Sequence, residues 1–141
     1  PGFNLTTDLI VGFPGETDQC HADTIDLINR AGFSHIHTFR FSPRPLTTAA
    51  KFKQTVSESL KKKRSFEIME ITERLKADYF QKINGKHLIF LGETISSKKT
   101  FGHCNYYLPI DVYEKLERNR FYNIKAKYDP KENKLTGELF L

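Results

Sequence analysis

The chain has 141 residues, a formal net charge of +5 and 38% hydrophobic residues, which fits one ordinary domain or two small pieces with a folded core. It has neither the run of about 18 to 20 apolar residues that spans a bilayer nor a secretory N-terminus, so we expect a cytoplasmic protein without a membrane partner. Because Pro1 and Gly2 lead directly into a strand-like segment, we expect the chain to begin inside a longer protein.

Charge is distributed unevenly along the chain. Residues 1–50 contain three arginines and five acidic residues and carry −2, so the remainder carries +7. A basic segment of this kind predicts an anionic partner, most often nucleic acid. Cys20 and Cys104 lie far apart and neither belongs to a Cys-x-x-Cys pair, so we expect two free thiols and no metal site.

The first 41 residues predict a β-α-β unit. Residues 4–12 form an apolar, β-branched run that is typical of a buried strand, on which Asp8 is either a hydrogen-bonded structural carboxylate, the interpretation we prefer, or a polar residue that lines a barrel. After a turn at residues 13–16, Thr17 caps a helix that ends at Gly32. Residues 33–41 alternate between apolar and polar side chains and predict a second strand, parallel to the first.

A loop and a long helix follow. Residues 42–54 contain Pro43 and Pro45 and predict a loop at the carboxyl end of the second strand, the edge where parallel α/β folds bind ligands. Apolar residues at helical spacing then predict a helix that begins near Thr55 or Ser57 and ends at about residues 84–85. We interpret the four consecutive cations at residues 61–64 as a solvated face of this helix.

From Lys86 onward the pattern changes to short strands. We predict strands at residues 86–93, about 104–113, 121–128 and 134–140, with a hairpin turn at residues 129–133. Several short antiparallel strands in so few residues indicate a small OB-like β-barrel. The fold class is therefore α/β followed by all-β, with a domain boundary at residues 82–85.

Two segments carry a resemblance to a known family. Residues 6–17 read Thr-Thr-Asp-Leu-Ile-Val-Gly-Phe-Pro-Gly-Glu-Thr, and residues 33–45 read Phe-Ser-His-Ile-His-Thr-Phe-Arg-Phe-Ser-Pro-Arg-Pro. In order and spacing they resemble two successive strand ends of the radical S-adenosylmethionine barrel in tRNA methylthiotransferases. The resemblance implies that residues 1–54 are the C-terminal piece of that barrel, 55–84 a connector helix, and 85–141 a TRAM domain, a small tRNA-binding β-barrel.

The resemblance also implies an activity for the longer protein. Residues 35–37 and 102–107 are most similar to the branch that adds a methylthio group to C2 of N6-threonylcarbamoyladenosine at tRNA position 37, using S-adenosylmethionine and 4Fe-4S clusters. This chain has no Cys-x-x-x-Cys-x-x-Cys to hold a cluster, so no catalytic residue is expected in it and it should be inactive alone. Two alternatives are a relative that modifies a ribosomal protein and a non-enzymatic RNA-binding module.

The strand-end segments supply the candidate cofactor-binding residues. Their glycines allow backbone amides to approach S-adenosylmethionine, although a tight turn that merely closes a β-α unit has the same pattern. The candidates are Gly12, Pro14, Gly15, Glu16, Ser42 and Arg44. Arg44 is either a ligand of cofactor or tRNA phosphate or a solvated loop residue. His35 and His37 share a strand face but have no further ligand at metal-binding spacing.

The barrel supplies the candidate RNA-binding residues. Their basic groups would neutralise phosphates, and their exposed rings would stack on unpaired bases. They are Lys98, Lys99, Phe101, His103, Tyr106, Tyr107, Arg120, Lys125 and Lys127. Because alternate aromatics also fill barrel interiors, we assign Tyr122 and Tyr128 to the core and expect Phe101, Tyr106 and Tyr107 to be exposed. The expected partner is a tRNA anticodon stem-loop, and the strand edges at residues 4–12 or 35–41 predict self-association.

Overall fold

A computed structural model describes residues 3–140, which divide into two compact units, residues 5–75 and residues 3–4 with 76–140. Pro1, Gly2 and Leu141 belong to the predicted segments 1–54 and 85–141 and lie outside the described residues. The division falls within one continuous helix, between Leu75 and Lys76.

The first unit, residues 5–75, contains the predicted β-α-β arrangement. Strand β1 (Thr6–Val11), helix α1 (Asp18–Ala31) and strand β2 (His35–Arg40) are followed by a 3-10 helix (Ala49–Lys51) and the start of helix α2 (Glu58–Ile83). Strands β1 and β2 pair in parallel, from Thr6 opposite His35 to Val11 opposite Arg40. The parallel pairing is confirmed.

The helices begin and end close to the predicted residues because their signals are local. The Thr17 hydroxyl accepts a hydrogen bond from the Cys20 amide at 3.2 Å, and Gly32 ends α1 with a φ of +73°. The Ser57 hydroxyl accepts a hydrogen bond from the Leu60 amide at 3.3 Å at the start of α2. Capping side chains and a left-handed residue are the expected means of satisfying helix ends.

One face of the β1–β2 sheet is covered and the other is not. Val11 and Ile36 are buried with α-helical residues Ile28 and Ile68. On the opposite face Ile10 and Phe39 are 52% and 53% exposed, and Asp8 is exposed as well. The prediction of a buried strand and a buried Asp8 is therefore wrong for this chain, because residues 5–75 provide helices on one side of the sheet alone.

The second unit is a closed five-stranded barrel. Its strands are β3 (His87–Ile95), β4 (Thr100–Cys104), β5 (Pro109–Val112), β6 (Phe121–Asp129) and β7 (Lys134–Leu139), in the order β3-β4-β5-β7-β6. This order is compatible with the predicted small TRAM-like barrel. All neighbouring pairs are antiparallel except β5 and β7, which are parallel, so the expectation of a purely antiparallel barrel is wrong.

The predicted strand at about 104–113 contains the last residue of β4, a turn and β5, while most of β4 precedes it. The chain reverses between β4 and β5, where the Tyr107 amide donates to the Cys104 carbonyl at 2.8 Å and Tyr107 takes a φ of +57°. A bulky residue is uncommon in that conformation, and without glycine the turn gives little sequence signal. The predicted turn at residues 129–133 is confirmed, with the Lys131 amide donating to Asp129 Oδ1 at 2.9 Å.

The barrel interior is apolar and tightly packed. Phe90, Ile110, Ile124 and Leu135 are buried there together with other apolar side chains, and helix residues Phe80 and Ile83 belong to the same cluster; Tyr122 and Tyr128 pack partly buried against it, as predicted. On β4, a Cβ added to Gly102 would lie 1.8 Å from the Leu91 carbonyl oxygen. Glycine is therefore required at this position for β3 and β4 to pair.

Candidate cofactor loops and nucleic-acid interface

The loops after β1 and β2 meet at the carboxyl edge of the sheet, where the candidate cofactor residues lie. The Phe41 amide donates to the Val11 carbonyl at 2.8 Å, and the Gly15 amide donates to the Gln54 carbonyl at 2.8 Å. The Phe13 ring contacts the Phe41 ring edge-on at 5.2 Å between centroids. The two segments that carry the family resemblance are thus joined by direct contacts.

Glu16 is held by a buried arginine from α2. Its Oε1 lies 2.5 Å from Arg64 Nη1, and its Oε2 accepts a hydrogen bond from the Gly12 amide at 2.9 Å. Arg64 Nη2 also donates to Asp18 Oδ1 at 2.6 Å. Burial opposes the charge of Arg64, but the hydrogen bonds to Asp18 and Glu16 outweigh it and raise the pKa of the guanidinium.

Lys61, one helical turn before Arg64, holds the end of β2. Its Nζ donates to the Phe41 carbonyl at 3.1 Å and to Glu58 Oε1 at 2.7 Å. That hydrogen bond, together with the positive charge of Lys61, lowers the pKa of the Glu58 carboxyl. The lysine stem lies against Gly12, since a Cβ there would be 2.3 Å from Lys61 Cγ.

The prediction that residues 61–64 form a solvated face is therefore wrong for two of the four cations. Lys61 and Arg64 are buried, whereas Lys62 and Lys63 are exposed. Residues three apart lie on the same side of a helix, and this side of α2 packs on the two loops. Sequence reasoning missed both residues as parts of the site, although two acidic residues in the turn and the spacing of the cations were available signals.

The backbone amides of the turn are already satisfied within the chain. The Gly12 amide donates to Glu16, the Gly15 amide to Gln54, and the Glu16 amide to the Phe13 carbonyl at 2.9 Å. This arrangement supports the interpretation of the segment as a turn that closes the β-α unit. Contact of these residues and of half-buried Pro14 with a cofactor stays a prediction.

Ser42 and Arg44 are exposed, whereas the turn residues Gly12, Pro14 and Glu16 are buried or half-buried. Within residues 3–140 neither side chain has a hydrogen-bonding or ionic partner. Their hydroxyl and guanidinium groups are suited to the carboxylate of an amino-acid ligand or to a phosphate. The donor set at this edge therefore fits a cofactor that carries an anionic group.

The described residues do not supply the thiolates of a 4Fe-4S cluster. Cys20 is exposed, Cys104 is buried, and both are free. No group of three or more His, Cys, Asp or Glu side chains among residues 3–140 is placed to hold a metal ion. His35 and His37 lie on one sheet face with ring centroids 4.5 Å apart. Within the same residues, no helix has the length and apolar character needed to cross a membrane.

The predicted RNA-binding residues are distributed over several faces of the barrel. Lys98 and Lys99 precede β4, whereas Tyr106 and Tyr107 follow it at the opposite end. Phe101 and His103 lie on the outer side of β4, Arg120 precedes β6, and Lys125 and Lys127 lie on the outer side of β6. Strand β3 separates β4 from β6, so these nine residues do not form a single patch.

Two of the three aromatic residues expected to be exposed are exposed. Tyr107 is 86% exposed and Phe101 is 37% exposed. Tyr106 is partly buried against the barrel core, so the prediction of its exposure is wrong. Its amide donates to Cys104 Sγ at 3.4 Å within the turn between β4 and β5.

Four of the predicted basic or histidine side chains already have carboxylate partners. Lys99 pairs with Asp111 at 2.7 Å, His103 with Glu93 at 2.7 Å and Arg120 with Glu117 at 2.6 Å. Lys127 pairs with Glu138. Exposed ion pairs contribute about 0 to 1 kcal/mol, so a phosphate can replace the carboxylate of Glu117 or Glu138 at little cost, whereas the Asp111 side chain is only 12% exposed and retains Lys99.

Sequence reasoning also missed a groove on the outside of the barrel. The groove has a volume of about 200 Å³ and is lined by Lys76, Phe80, Phe101, Pro109, Ile110, Asp111, Asn133, Lys134 and Leu135. It brings one predicted RNA-binding residue, Phe101, together with a carboxylate and two lysines that were not predicted. The parallel pairing of β5 with β7, which creates this neighbourhood, has no signal in the sequence.

Comparison with known proteins finds relatives that are named as tRNA-modifying enzymes, whereas no family model matches the chain. It is 41% identical over 109 residues to a threonylcarbamoyladenosine tRNA methylthiotransferase of Thermotoga maritima, covering 77% of this chain and 25% of that protein. It is 39% identical over 126 residues to a tRNA-2-methylthio-N(6)-dimethylallyladenosine synthase of Oceanobacillus iheyensis, covering 89% and 22%.

A tRNA-2-methylthio-N(6)-dimethylallyladenosine synthase of Moorella thermoacetica is 48% identical over 71 residues, which cover 50% of this chain and 16% of that protein. The chain thus spans a quarter or less of the length of each of these three relatives.

Proposed function

Because this chain belongs to the radical S-adenosylmethionine methylthiotransferase family and matches its C-terminal region, we propose that it is the RNA-binding part of a tRNA methylthiotransferase. The proposed reaction adds a methylthio group to C2 of N6-threonylcarbamoyladenosine at tRNA position 37. The observation that carries the proposal is the 41% identity over 109 residues to a relative named for that nucleoside.

Two alternative assignments have less support. The relatives from Thermotoga, Oceanobacillus and Moorella are all named for tRNA, which favours tRNA over a ribosomal protein as the substrate. A purely RNA-binding module would have no need for the joined strand-end loops that two buried cations hold in place. We therefore retain the assignment as part of an enzyme, and we propose that this enzyme acts in the cytoplasm.

The proposed division of labour follows the three segments. Residues 1–54 complete a radical barrel, residues 55–84 connect that barrel to the next domain, and residues 85–141 form this domain and bind tRNA. When bound, a 4Fe-4S cluster supplies the electron for reductive cleavage of S-adenosylmethionine. The cluster ligands would lie outside this chain, and the chain alone would be inactive.

Within that scheme the strand-end residues have two different tasks. Gly12, Gly15 and Glu16 shape the turn through their internal hydrogen bonds. Ser42 and Arg44, which are exposed and unpaired among the described residues, contact the anionic group of the cofactor. Pro14 and the turn backbone form the adjoining wall.

The barrel binds the anticodon stem-loop mainly through its cations. Lys98 and Lys125 have no ion-pair partner among residues 3–140, and Lys127 releases exposed Glu138 when phosphate binds. Since each neutralised phosphate releases counterions, the affinity should fall linearly with the logarithm of the salt concentration.

The test is binding of an anticodon stem-loop across a salt series. Changing Lys98, Lys99, Lys125 and Lys127 together to alanine should weaken binding and flatten the salt dependence. The matched control changes four exposed lysines outside the barrel, Lys51, Lys53, Lys62 and Lys63, which removes the same charge. Equal losses in both variants, or no binding at low salt, would contradict the assignment of RNA binding to the barrel.

We also propose that this chain self-associates through the uncovered face and edges of the β1–β2 sheet. Each strand has a single hydrogen-bonded neighbour among the described residues, and Ile10 and Phe39 lie opposite each other on the exposed face. Open edges and apolar faces favour pairing with a second copy. Light scattering should show a mass that rises with concentration in the wild type and less in Ile10→Lys; a strict monomer at high concentration would contradict this.

A further inference from the structure

The groove on the barrel lies where the strands, a hairpin turn and the helix end come together. Strands β4 and β5 contribute Phe101, Pro109 and Asp111, the β6–β7 turn contributes Asn133, and β7 begins in the groove with Lys134. Its volume of about 200 Å³ is below the roughly 300 to 1,000 Å³ of sites for drug-sized ligands. A single planar ring system with its sugar on the outside is the appropriate size of occupant.

Asp111 gives the groove an unsatisfied acceptor. Its side chain is 12% exposed, and its Oδ2 accepts from Lys99 Nζ at 2.7 Å. The other oxygen, Oδ1, is buried and has no hydrogen-bond partner. A buried carboxylate oxygen without a donor is costly, so a ligand that presents an N–H group at this point would be favoured.

The remaining groups suit an aromatic and anionic ligand. Phe101 lies directly across the β4–β5 ladder from Asp111, and its exposed ring provides a surface for stacking. Lys76 and Lys134 line the groove, and Lys99 is paired with Asp111 beside it. These ammonium groups suit a ligand that carries a phosphate.

We propose that this groove binds one unpaired nucleotide of RNA, with the base stacked on Phe101 and its N–H edge donating to Asp111. The inference rests on the proposed RNA-binding function and names the site within it. Guanine is the preferred base, because its Watson–Crick edge carries two adjacent groups that donate N–H bonds to a carboxylate. The Watson–Crick edge of adenine carries one such donor group. Unpaired bases in RNA are commonly recognised by stacking combined with hydrogen bonds to this edge, and OB-type barrels bind oligonucleotides on their second and third strands, here β4 and β5.

The test compares two single-stranded heptamers, UUUGUUU and UUUAUUU, by fluorescence anisotropy with the full chain. Phe101→Ala should weaken binding of both by about 5-fold or more, the usual cost of losing one base–aromatic stack. The matched control is Phe121→Ala, which removes an exposed ring from the outer side of β6. It should leave both affinities within about twofold, a difference too small for a lost stack.

Asp111→Asn separates direct contact from general electrostatics. Removal of a negative charge alone strengthens RNA binding, so electrostatics predicts tighter binding of both heptamers. The proposed contact predicts weaker binding of the guanine heptamer and loss of its preference over the adenine heptamer. Glu93→Gln, which removes a carboxylate outside the groove, is the control and should keep the preference.

The outcomes distinguish this site from the proposed function. If the wild type binds the stem-loop but shows no guanine preference, or if Phe101→Ala behaves like Phe121→Ala, the groove proposal is overturned and RNA binding by the barrel stands. If neither stem-loop nor heptamer binds, both proposals fail. Because Phe101 is partly exposed, its alanine variant should fold, and amide NMR spectra of every variant verify this.

Discussion

Arg64 Nη1 and Glu16 Oε1 lie 2.5 Å apart although 48 residues separate them in the chain. Glu16 in turn accepts the Gly12 amide, so a cation on α2 determines the geometry of the turn after β1. Lys61 fixes the end of β2 in a similar way, because its Nζ donates to the Phe41 carbonyl. The first turns of α2 therefore hold both strand ends that carry the family resemblance.

Replacing Arg64 by methionine should destabilise residues 5–75. The Arg64 side chain is 3% exposed and Glu16 is 14% exposed, so removal of the cation leaves a largely buried carboxylate without its partner. We expect a loss of about 2 to 3 kcal/mol, below the roughly 3 to 5 kcal/mol for fully buried pairs, because Asp18 is open to solvent. Urea denaturation measures the loss. Lys62→Met, at an exposed position of the same helix, is the control, and an equal effect there would contradict the role of Arg64.

Gly12→Ala should cost more than Gly32→Ala. Both glycines have a φ close to +72°, but a Cβ at Gly12 would overlap Lys61 while nothing lies within 4 Å of one at Gly32. The left-handed conformation costs an alanine about 1 to 2 kcal/mol at either site, and the overlap adds about 1 to 3 kcal/mol at Gly12. Thermal or urea unfolding of the two variants gives the difference.

A Lys61→Ala background provides the check on this cause. The overlap at Gly12 disappears there, so the extra cost of Gly12→Ala should disappear with it. Persistence of the full difference would mean that the lysine stem is not what requires glycine at this position.

Cys20 should react with iodoacetamide at lower pH than an ordinary cysteine. The Thr17 hydroxyl donates to Cys20 Sγ at 3.2 Å, and this hydrogen bond lowers the pKa of the exposed thiol by stabilising its thiolate. Thr17→Val should move the pH profile of alkylation upward, whereas Thr17→Ser should preserve it. Buried Cys104 should react far more slowly. Identical profiles for wild type and Thr17→Val would contradict the assigned hydrogen bond.

The parts of the fold that sequence predicts are those with local signals. Thr17, Gly32 and Ser57 mark helix ends by their own chemistry, and alternation marks β2. The burial of Lys61 and Arg64 depends on partners far along the chain, so the charge run alone predicts a solvated face. The turn between β4 and β5 uses Tyr107 in a conformation that favours glycine, so the pattern predicts an uninterrupted strand through residues where the chain turns.

For the candidate site, too, the sequence predicts features of single residues but not which residues become neighbours. The sequence correctly predicts that Phe101 is exposed, but it predicts neither the strand that carries Phe101 nor which strands become neighbours. Barrel closure places Phe101 beside Asp111 and separates Phe101 from Lys125 by β3. The sequence therefore identifies types of residue suited to RNA, while the fold identifies which of them can act together.

The most direct test of the proposed activity is mass spectrometry of nucleosides from the tRNA of cells that lack the gene encoding this chain. We predict loss of 2-methylthio-N6-threonylcarbamoyladenosine and accumulation of N6-threonylcarbamoyladenosine, both reversed when the gene is restored. Unchanged levels of the methylthio nucleoside would contradict the proposed function, and loss of the dimethylallyl counterpart instead would contradict the assigned substrate.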